Sequence, residues 1–208
     1  HGQHIHVENF QEDYFNAIIA STGFPNRPVK VVVDSGNAVP GPFMKAILKA
    51  IGAEATCILC EWDNSFPVHP PDPTRPANME LLGEIVRESG AEFGIGVDGD
   101  GDRMGMVDEN GRFIHPDRLL AIFAADILSR VPQNASDEAR TVFYDVKCSI
   151  ALEQTIRSAG GIPHMMRTGH SFQKLALKNS PETPLAGEMS GHFFFNDKWP
   201  GFDDTLYC

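Results

Sequence analysis

The densest chemistry in these 208 residues lies in Phe93–Val107, FGIGVDGDGDRMGMV. Asp98, Asp100 and Asp102 alternate with Gly99 and Gly101. Glycine lets the backbone bend sharply, so carboxylates two apart can converge on one point. Three converging carboxylates repel one another unless a cation neutralises them, and hard oxygen ligands suit Mg²⁺ or Ca²⁺ rather than a soft metal. Arg103 follows at once; its planar, permanently charged fork suits a phosphate or a carboxylate. Read as an EF-hand, the stretch puts Asp98, Asp100, Asp102 and Glu109 at positions one, three, five and twelve. The sixth position, where the sharp turn requires glycine, is instead Arg103, and the apolar flanks alternate like strands. A bland reading is an acidic hairpin turn, for which Asp-Gly repeats are well suited.

Three further polar clusters follow: Asp145–Lys147 (DVK), Thr168–His170 (TGH) and Gly187–His192 (GEMSGH). Singly, each has an ordinary structural reading: a solvated lysine, a loop histidine, a glycine-bounded turn. Together they set a cation site beside an Arg, a Lys, two His and a carboxylate–hydroxyl pair, which suits an anionic, hydroxyl-rich substrate. Lys147 and Arg103 would hold phosphate. Glu188 and Ser190 would accept and donate hydrogen bonds to sugar hydroxyls. His170 or His192, titrating near neutrality, would bind phosphate or shuttle a proton.

The elements that must position these clusters are short. Asn9 reads as the cap of a helix carrying Tyr14, Phe15, Ile18 and Ile19 on one face, with Glu12 completing a capping box. Val29–Val33 is an apolar strand, Pro42 opens a helix that Gly52 stops, and a second strand runs near Ala55–Cys60, an order that predicts a parallel βαβ unit. Pro67–Pro76 holds five prolines and must be a stiff loop. Asn78 caps the next helix, Gly90 ends it, and Asn110-Gly111 suits a primed hairpin turn after the acidic loop. From Arg112 the order repeats: a helix opened by Pro116, a polar loop over Gln133–Ala139, a strand Thr141–Asp145, a helix capped by Ser149, a strand Ile162–Met166, a short helix after Thr168, then Leu185–His192 and Phe193–Phe195. Gly201–Asp204 reads as the start of another helix. The expected fold is α/β: two similar modules, residues 1–111 and 112–208, each a small mixed sheet packed between helices. In such modules ligands bind outside the carboxyl ends of the strands, where all four polar clusters fall.

Seventeen Lys and Arg against 28 Asp and Glu leave a formal charge of −11. That argues against general binding to nucleic acid or anionic membranes. No apolar run is long enough to span a bilayer and no signal-peptide pattern opens the chain, so a cytoplasmic location is the default expectation. Of the four cysteines, Cys57 and Cys60 form a C-x-x-C. On a strand an offset of three sets the thiols on opposite faces, and no second pair completes a zinc site, so free thiols are expected.

With these residues in view, the sequence resembles the α-D-phosphohexomutase superfamily, most closely its bacterial phosphomannomutase/phosphoglucomutase branch. The resemblance rests on VVVDSGNAVPG (Val31–Gly41), FPVHPPDP (Phe66–Pro73), VDGDGDRMGMV (Val97–Val107), PDRLL (Pro116–Leu120), YDVKCS (Tyr144–Ser149), TGHS (Thr168–Ser171), GEMSGHFFF (Gly187–Phe195) and GFDD (Gly201–Asp204), in family order across nearly the whole chain. It implies the second and third of four domains. It puts the family's Mg²⁺ loop on Asp98, Asp100 and Asp102 and its active-site arginine on Arg103. The sugar-recognition loop falls on Glu188, Ser190 and His192, with Lys147 and His170 lining the pocket and His192 also a catalytic candidate. The implied reaction interconverts hexose 1-phosphate and hexose 6-phosphate, of mannose or glucose, through a phosphoserine and a bisphosphate intermediate.

Three departures bear on that expectation. The phosphoserine's Ser-His-Asn-Pro context is not among these residues, and the context of Ser171 does not match it. The fourth domain's phosphate-binding loop is not among them either. The family's GNG reads Gly36-Asn37-Ala38. The chain alone is therefore expected to be inactive, to partner with the outer domains of the same enzyme, and to leave apolar surface on its second module. A stand-alone phosphosugar- or Mg²⁺-binding module without catalysis remains the alternative.

Overall fold

A valine-rich strand organises the first half of the chain. The computed structural model describes residues 2–132 and 134–208; His1 and Gln133, the first residue of the expected polar loop, lie outside the described residues. In β1 (Lys30–Asp34), Val31 and Val33 pack with Phe15 and Ile18 of α1 (Phe10–Thr22) and with Met44, Ile47 and Leu48 of α2 (Gly41–Ala50). Val32 points the other way, against Leu82 and Val86 of α3 (Glu80–Ser89). Strand alternation thus puts helices on both faces, and each fully buried Val or Leu contributes about 1.5–3 kcal/mol. β2 (Glu54–Ile58) and β3 (Phe93–Val97) flank β1 in parallel, β4 (Met104–Val107) runs antiparallel to β3, and β5 (Phe113–Ile114) edges it. The order is β2-β1-β3-β4-β5.

The second half repeats the plan. β6 (Thr141–Asp145) is flanked in parallel by β7 (Ile162–Met166) and β8 (Leu185–Gly187), and β9 (Phe193–Phe195) is antiparallel to β8. The order β7-β6-β8-β9 matches the first four strands of the other sheet position for position. Val142 and Tyr144 face α4 (Pro116–Arg130) and α5 (Ile150–Ser158), while Phe143 faces α6 (His170–Asn179). The four polar clusters all follow the carboxyl ends of strands β3, β6, β7 and β8, and two of them take equivalent places. The acidic loop is the β3–β4 connection and Glu188–His192 is the β8–β9 connection. Ile95, Trp199 and Tyr207 pack against the cores of both sheets, joining the two halves. Beside this joint runs an apolar cleft of about 510 Å³ lined by Ile18, Met44, Met104, Leu119 and Cys208, among others.

Several local expectations are corrected. Asn9 precedes α1 in a left-handed conformation (φ 60°) and makes no side-chain cap. Asn78 sits inside a 3₁₀ turn, Pro76–Met79, ahead of α3, and its amide donates to the Asp72 carbonyl at 2.9 Å. The hairpin at Asp108–Gly111 is not a primed turn: only Gly111 has positive φ (69°), and its N–H closes onto Asp108 O. β2 ends at Ile58; Leu59 then turns left-handed (φ 50°), which brings the Cys60 thiol back to Cys57 instead of the opposite face. Both are free, and burial, with Cys57 beside it, pushes the Cys60 thiol up to about 12. Gly201–Asp204 forms no helix: Asp203 bridges Phe194 and the backbone turns on through Tyr207. Among the described residues no helix is long and apolar enough to cross a membrane.

Candidate active site

β3 delivers Asp98 to the carboxyl edge of the first sheet, where its side chain is 1% exposed. Its Oδ1 accepts the N–H groups of Gly101 (3.0 Å), Asp102 (3.1 Å) and Arg103 (3.1 Å), so one carboxylate oxygen folds its own loop into a ring. Gly101 makes the turn possible with φ 83°. Oδ2 takes the Arg103 Nε at 2.7 Å. The Arg103 fork continues to Asp72 Oδ1 at 3.5 Å, from the proline-stiffened loop. Burial works against the Arg103 charge, but its bonds to Asp98 and the carboxylates of Asp72 and Asp102 outweigh that and hold it above the ordinary value.

Asp98, Asp100 and Asp102 each offer an oxygen within 4.8 Å of the others. The Asp102 carboxyl is pushed up by burial and then by Asp98 at its side. An all-oxygen donor set whose members repel each other fits a small hard divalent cation.

The β8–β9 loop is built differently. Glu188 is 1% exposed. Its Oε1 accepts the Gly169 N–H (2.6 Å) and its Oε2 the Ser190 hydroxyl (2.9 Å), and Ser190 Oγ also meets His192 Nδ1 at 2.8 Å. Burial raises the Glu188 carboxyl, but the hydrogen bonds from His192, Gly169 and Ser190 win and lower it. For His192 burial opposes the charge, yet the bond to Glu188 and the charges of Asp102, Asp203 and Glu188 raise it above its ordinary value.

The two loops meet. Met104 N–H donates to Gly191 O at 3.0 Å, and His192 Nε2 lies 3.4 Å from Asp102 Oδ1. The His170 ring stacks on His192 with centroids 5.6 Å apart. Lys147 is exposed, its Nζ 3.6 Å from Asp145 Oδ2. Asp145 in turn bonds Thr168 Oγ1 and the Met189 N–H, so Lys147 reaches the rest through that carboxylate. Thus Asp98, Asp100, Asp102, Arg103, Glu188, Ser190, His192 and His170 form one contiguous group, and Lys147 stands at its margin.

Two participants escape a reading by residue type. Asp72 steadies the Arg103 fork from the proline-stiffened loop, where its residue type alone gives it no role. Asp203 sets one carboxylate oxygen on Lys174 Nζ (2.6 Å), while Oδ2 has no hydrogen-bond partner and lies 3.9 Å from His192 Nε2. Nothing local in GFDD announces that placement. Two residues beyond Asp203, the Thr205 N–H and hydroxyl both bond Gly101 O, at 3.1 and 2.9 Å, fastening the acidic loop from the second module.

Residues 12–111 match the family model for phosphoglucomutase/phosphomannomutase, alpha/beta/alpha domain II, and residues 115–208 match that for domain III. The chain is 43% identical over 194 residues to a phosphomannomutase/phosphoglucomutase of Pseudomonas putida, covering 93% of this chain and 40% of that protein. It is 42% identical over 196 residues to a phosphoglucomutase of Neisseria meningitidis, covering 94% and 41%. A solved phosphoglucomutase/phosphomannomutase family protein from Burkholderia thailandensis matches with a TM-score of 0.88 at 43% identity, over 95% of this chain and 41% of that one. The chain therefore spans about 40% of the curated relatives it matches. Sequence and overall superposition agree that it belongs to the phosphoglucomutase/phosphomannomutase family and corresponds to its domains II and III.

Proposed function

We propose that this chain is the central portion of a Mg²⁺-dependent phosphohexomutase that interconverts the 1- and 6-phosphates of mannose or glucose through a phosphoserine and a bisphosphate intermediate. In this reading residues 1–111 and 112–208 are the two domains, with the short β5 strand lying on the first sheet. They supply the metal loop and the sugar loop, while the phosphoserine and a further phosphate-binding loop belong to partner domains of the same enzyme. The carrying observation is that the metal loop and the sugar loop, equivalent hairpins of two repeated modules, touch at Met104–Gly191 and Asp102–His192.

Asp98, Asp100 and Asp102 would hold Mg²⁺, which when bound neutralises charge on the transferring phosphoryl group. Arg103, its Nε fixed by Asp98, presents the remaining fork to phosphate oxygens. Glu188, ionised and anchored by Gly169, accepts hydrogen bonds from sugar hydroxyls, and Ser190 bridges it to His192. The carboxylates around His192 favour its protonated form, and the ring is placed to give or take a hydroxyl proton at Nε2. Lys147 and His170 would hold the non-reacting phosphate. The formal charge of −11 argues against general binding to nucleic acid.

Calorimetric titration of the chain with Mg²⁺, with and without glucose 1,6-bisphosphate, tests the reading. Mg²⁺ heat that vanishes in Asp100→Asn and Asp102→Asn, and bisphosphate binding that strengthens with Mg²⁺ and weakens in Glu188→Gln, is expected. Turnover of glucose 1-phosphate by the chain alone would overturn its dependence on the partner domains. Indifference to both ligands would overturn the half-site.

A further inference from the structure

Asp145 is fully buried at the carboxyl end of β6, and all of its bonding capacity is directed at segments that carry the site. Oδ1 accepts the Met189 N–H at 3.0 Å and the Cys148 thiol at 3.2 Å. Oδ2 accepts the Thr168 hydroxyl at 2.8 Å and faces Lys147 Nζ at 3.6 Å. Three polar segments, from the ends of β6 and β7 and from the β8–β9 connection, thus converge on one carboxylate. A buried carboxylate that is fully bonded fixes the geometry of everything it touches.

The equivalent residue in the first module shows that the fold does not demand this. Asp34 ends β1 as Asp145 ends β6, but its oxygens take the Gly36 N–H (2.8 Å) and His69 Nε2 (2.9 Å). It makes no bond to the β3–β4 loop, which Asp98 closes from within. The sugar loop has no internal counterpart of Asp98 for its Met189 amide; Asp145 takes that part from outside.

We infer that Asp145 is a positioning residue: through the Met189 amide and the Thr168 hydroxyl it holds the Glu188–His192 loop, the Gly169–His170 segment and Lys147 as one preformed surface for a phosphorylated sugar. The ligand class rests on the proposed function above. The positioning itself does not.

Amide hydrogen exchange and calorimetry on the chain separate the two. In Asp145→Ala the Met189 amide is expected to exchange at least about tenfold faster, with β1 and β3 amides unchanged. Glucose 1-phosphate should bind about tenfold more weakly while Mg²⁺ affinity stays within about twofold. Asp145→Asn keeps an acceptor for Met189 and gives Thr168 a donor, so it should rescue both within about threefold. Unchanged Met189 exchange in Asp145→Ala overturns the inference, as does unchanged sugar-phosphate affinity once the amide is freed. If Asp145→Ala fails to fold, Thr168→Val decides: it cuts one tie, and should speed Gly169 exchange and weaken glucose 1-phosphate by about threefold. No change in either overturns the inference. A wild-type chain that binds Mg²⁺ but no sugar phosphate sinks the phosphosugar reading instead, and the exchange comparison still decides the positioning.

Discussion

The β3–β4 and β8–β9 loops occupy the same place in two copies of one module, yet they are held in opposite ways. The acidic loop is closed by its own first residue: Asp98 gathers three N–H groups and a guanidinium from within five residues. The Glu188–His192 loop leans outward, on Gly169 and Asp145. On the proposed function, the difference follows from the ligand each loop would take. A small cation needs carboxylates at fixed mutual distances, which a short self-bonded ring provides. A sugar phosphate is wider, and holding it requires that several strand ends be set relative to one another.

The largest expected effect breaks the local side of the contrast. Asp98→Ala strands three N–H donors and the Arg103 Nε, and should cost about 3–5 kcal/mol in denaturant unfolding. It should abolish Mg²⁺ binding while leaving the Glu188 and Ser190 resonances in place. Spectral changes that spread through β8–β9 would show that the acidic loop is not self-contained. Next comes the direct link between the loops. Gly191 has φ 85°, and a Cβ there would stand 2.8 Å from Met104 O. Gly191→Ala should cost about 1–3 kcal/mol and weaken bisphosphate binding more than Mg²⁺ binding; equal losses would mean that the loops act as one.

A third test needs no loss of fold. His192 is raised by Glu188, Asp102 and Asp203 against the opposing effect of burial. Its NMR titration in chelator-treated protein should lie above that of a free imidazole, about 6.5, and should fall in Asp203→Asn. Because the folded value is the higher one, this protonation stabilises the fold below the unfolded value, and the contribution is lost as pH rises through the folded value. A titration unmoved by Asp203→Asn would remove that residue from the site's electrostatics.

The smallest effect is expected at a pair remote from both loops. Glu92 is lowered to about 2, first by its hydrogen bond to Arg27. Its contribution is present above the unfolded carboxylate value and fades as pH falls toward 2. Being exposed, it is screened: Glu92→Gln should shift Tm by no more than about 2 °C at pH 7 and by less at pH 3, with both loops unaffected.

How much of this was legible in the sequence divides along the same line. The valine run of β1, the apolar alternation around the acidic loop and the proline that opens α4 act through neighbours, and they predict the strands, the hairpin and the helix. Residue types alone also single out Asp98–Arg103 and Glu188–His192. The failures concern what lies across the chain or at single dihedrals. The C-x-x-C looked divided between two faces because Leu59 was not visible as a left-handed break. Asn9 and Asn78 have capping chemistry, but Asn9 is left-handed and caps nothing, and Asn78 donates to the Asp72 carbonyl instead. Asp72 reaches Arg103 across 31 residues of the first module, and Asp203 reaches His192 from a bridge on Phe194 within the second, placements that no local pattern announces. GFDD resembles a helix start until its pairing with Phe194 is seen.

The tie between Thr205 and Gly101 has a kinetic consequence. The acidic ring can close as soon as residues 98–103 exist, but its outer fastening joins residues 104 apart in sequence. Closing a loop of that length costs about 4 kcal/mol of chain entropy plus a constant, and that cost is met before the contact gives anything back. The carboxylate ring should therefore form early and the latch late, so that a refolding chain passes through a stage with a closed but unfastened acidic loop.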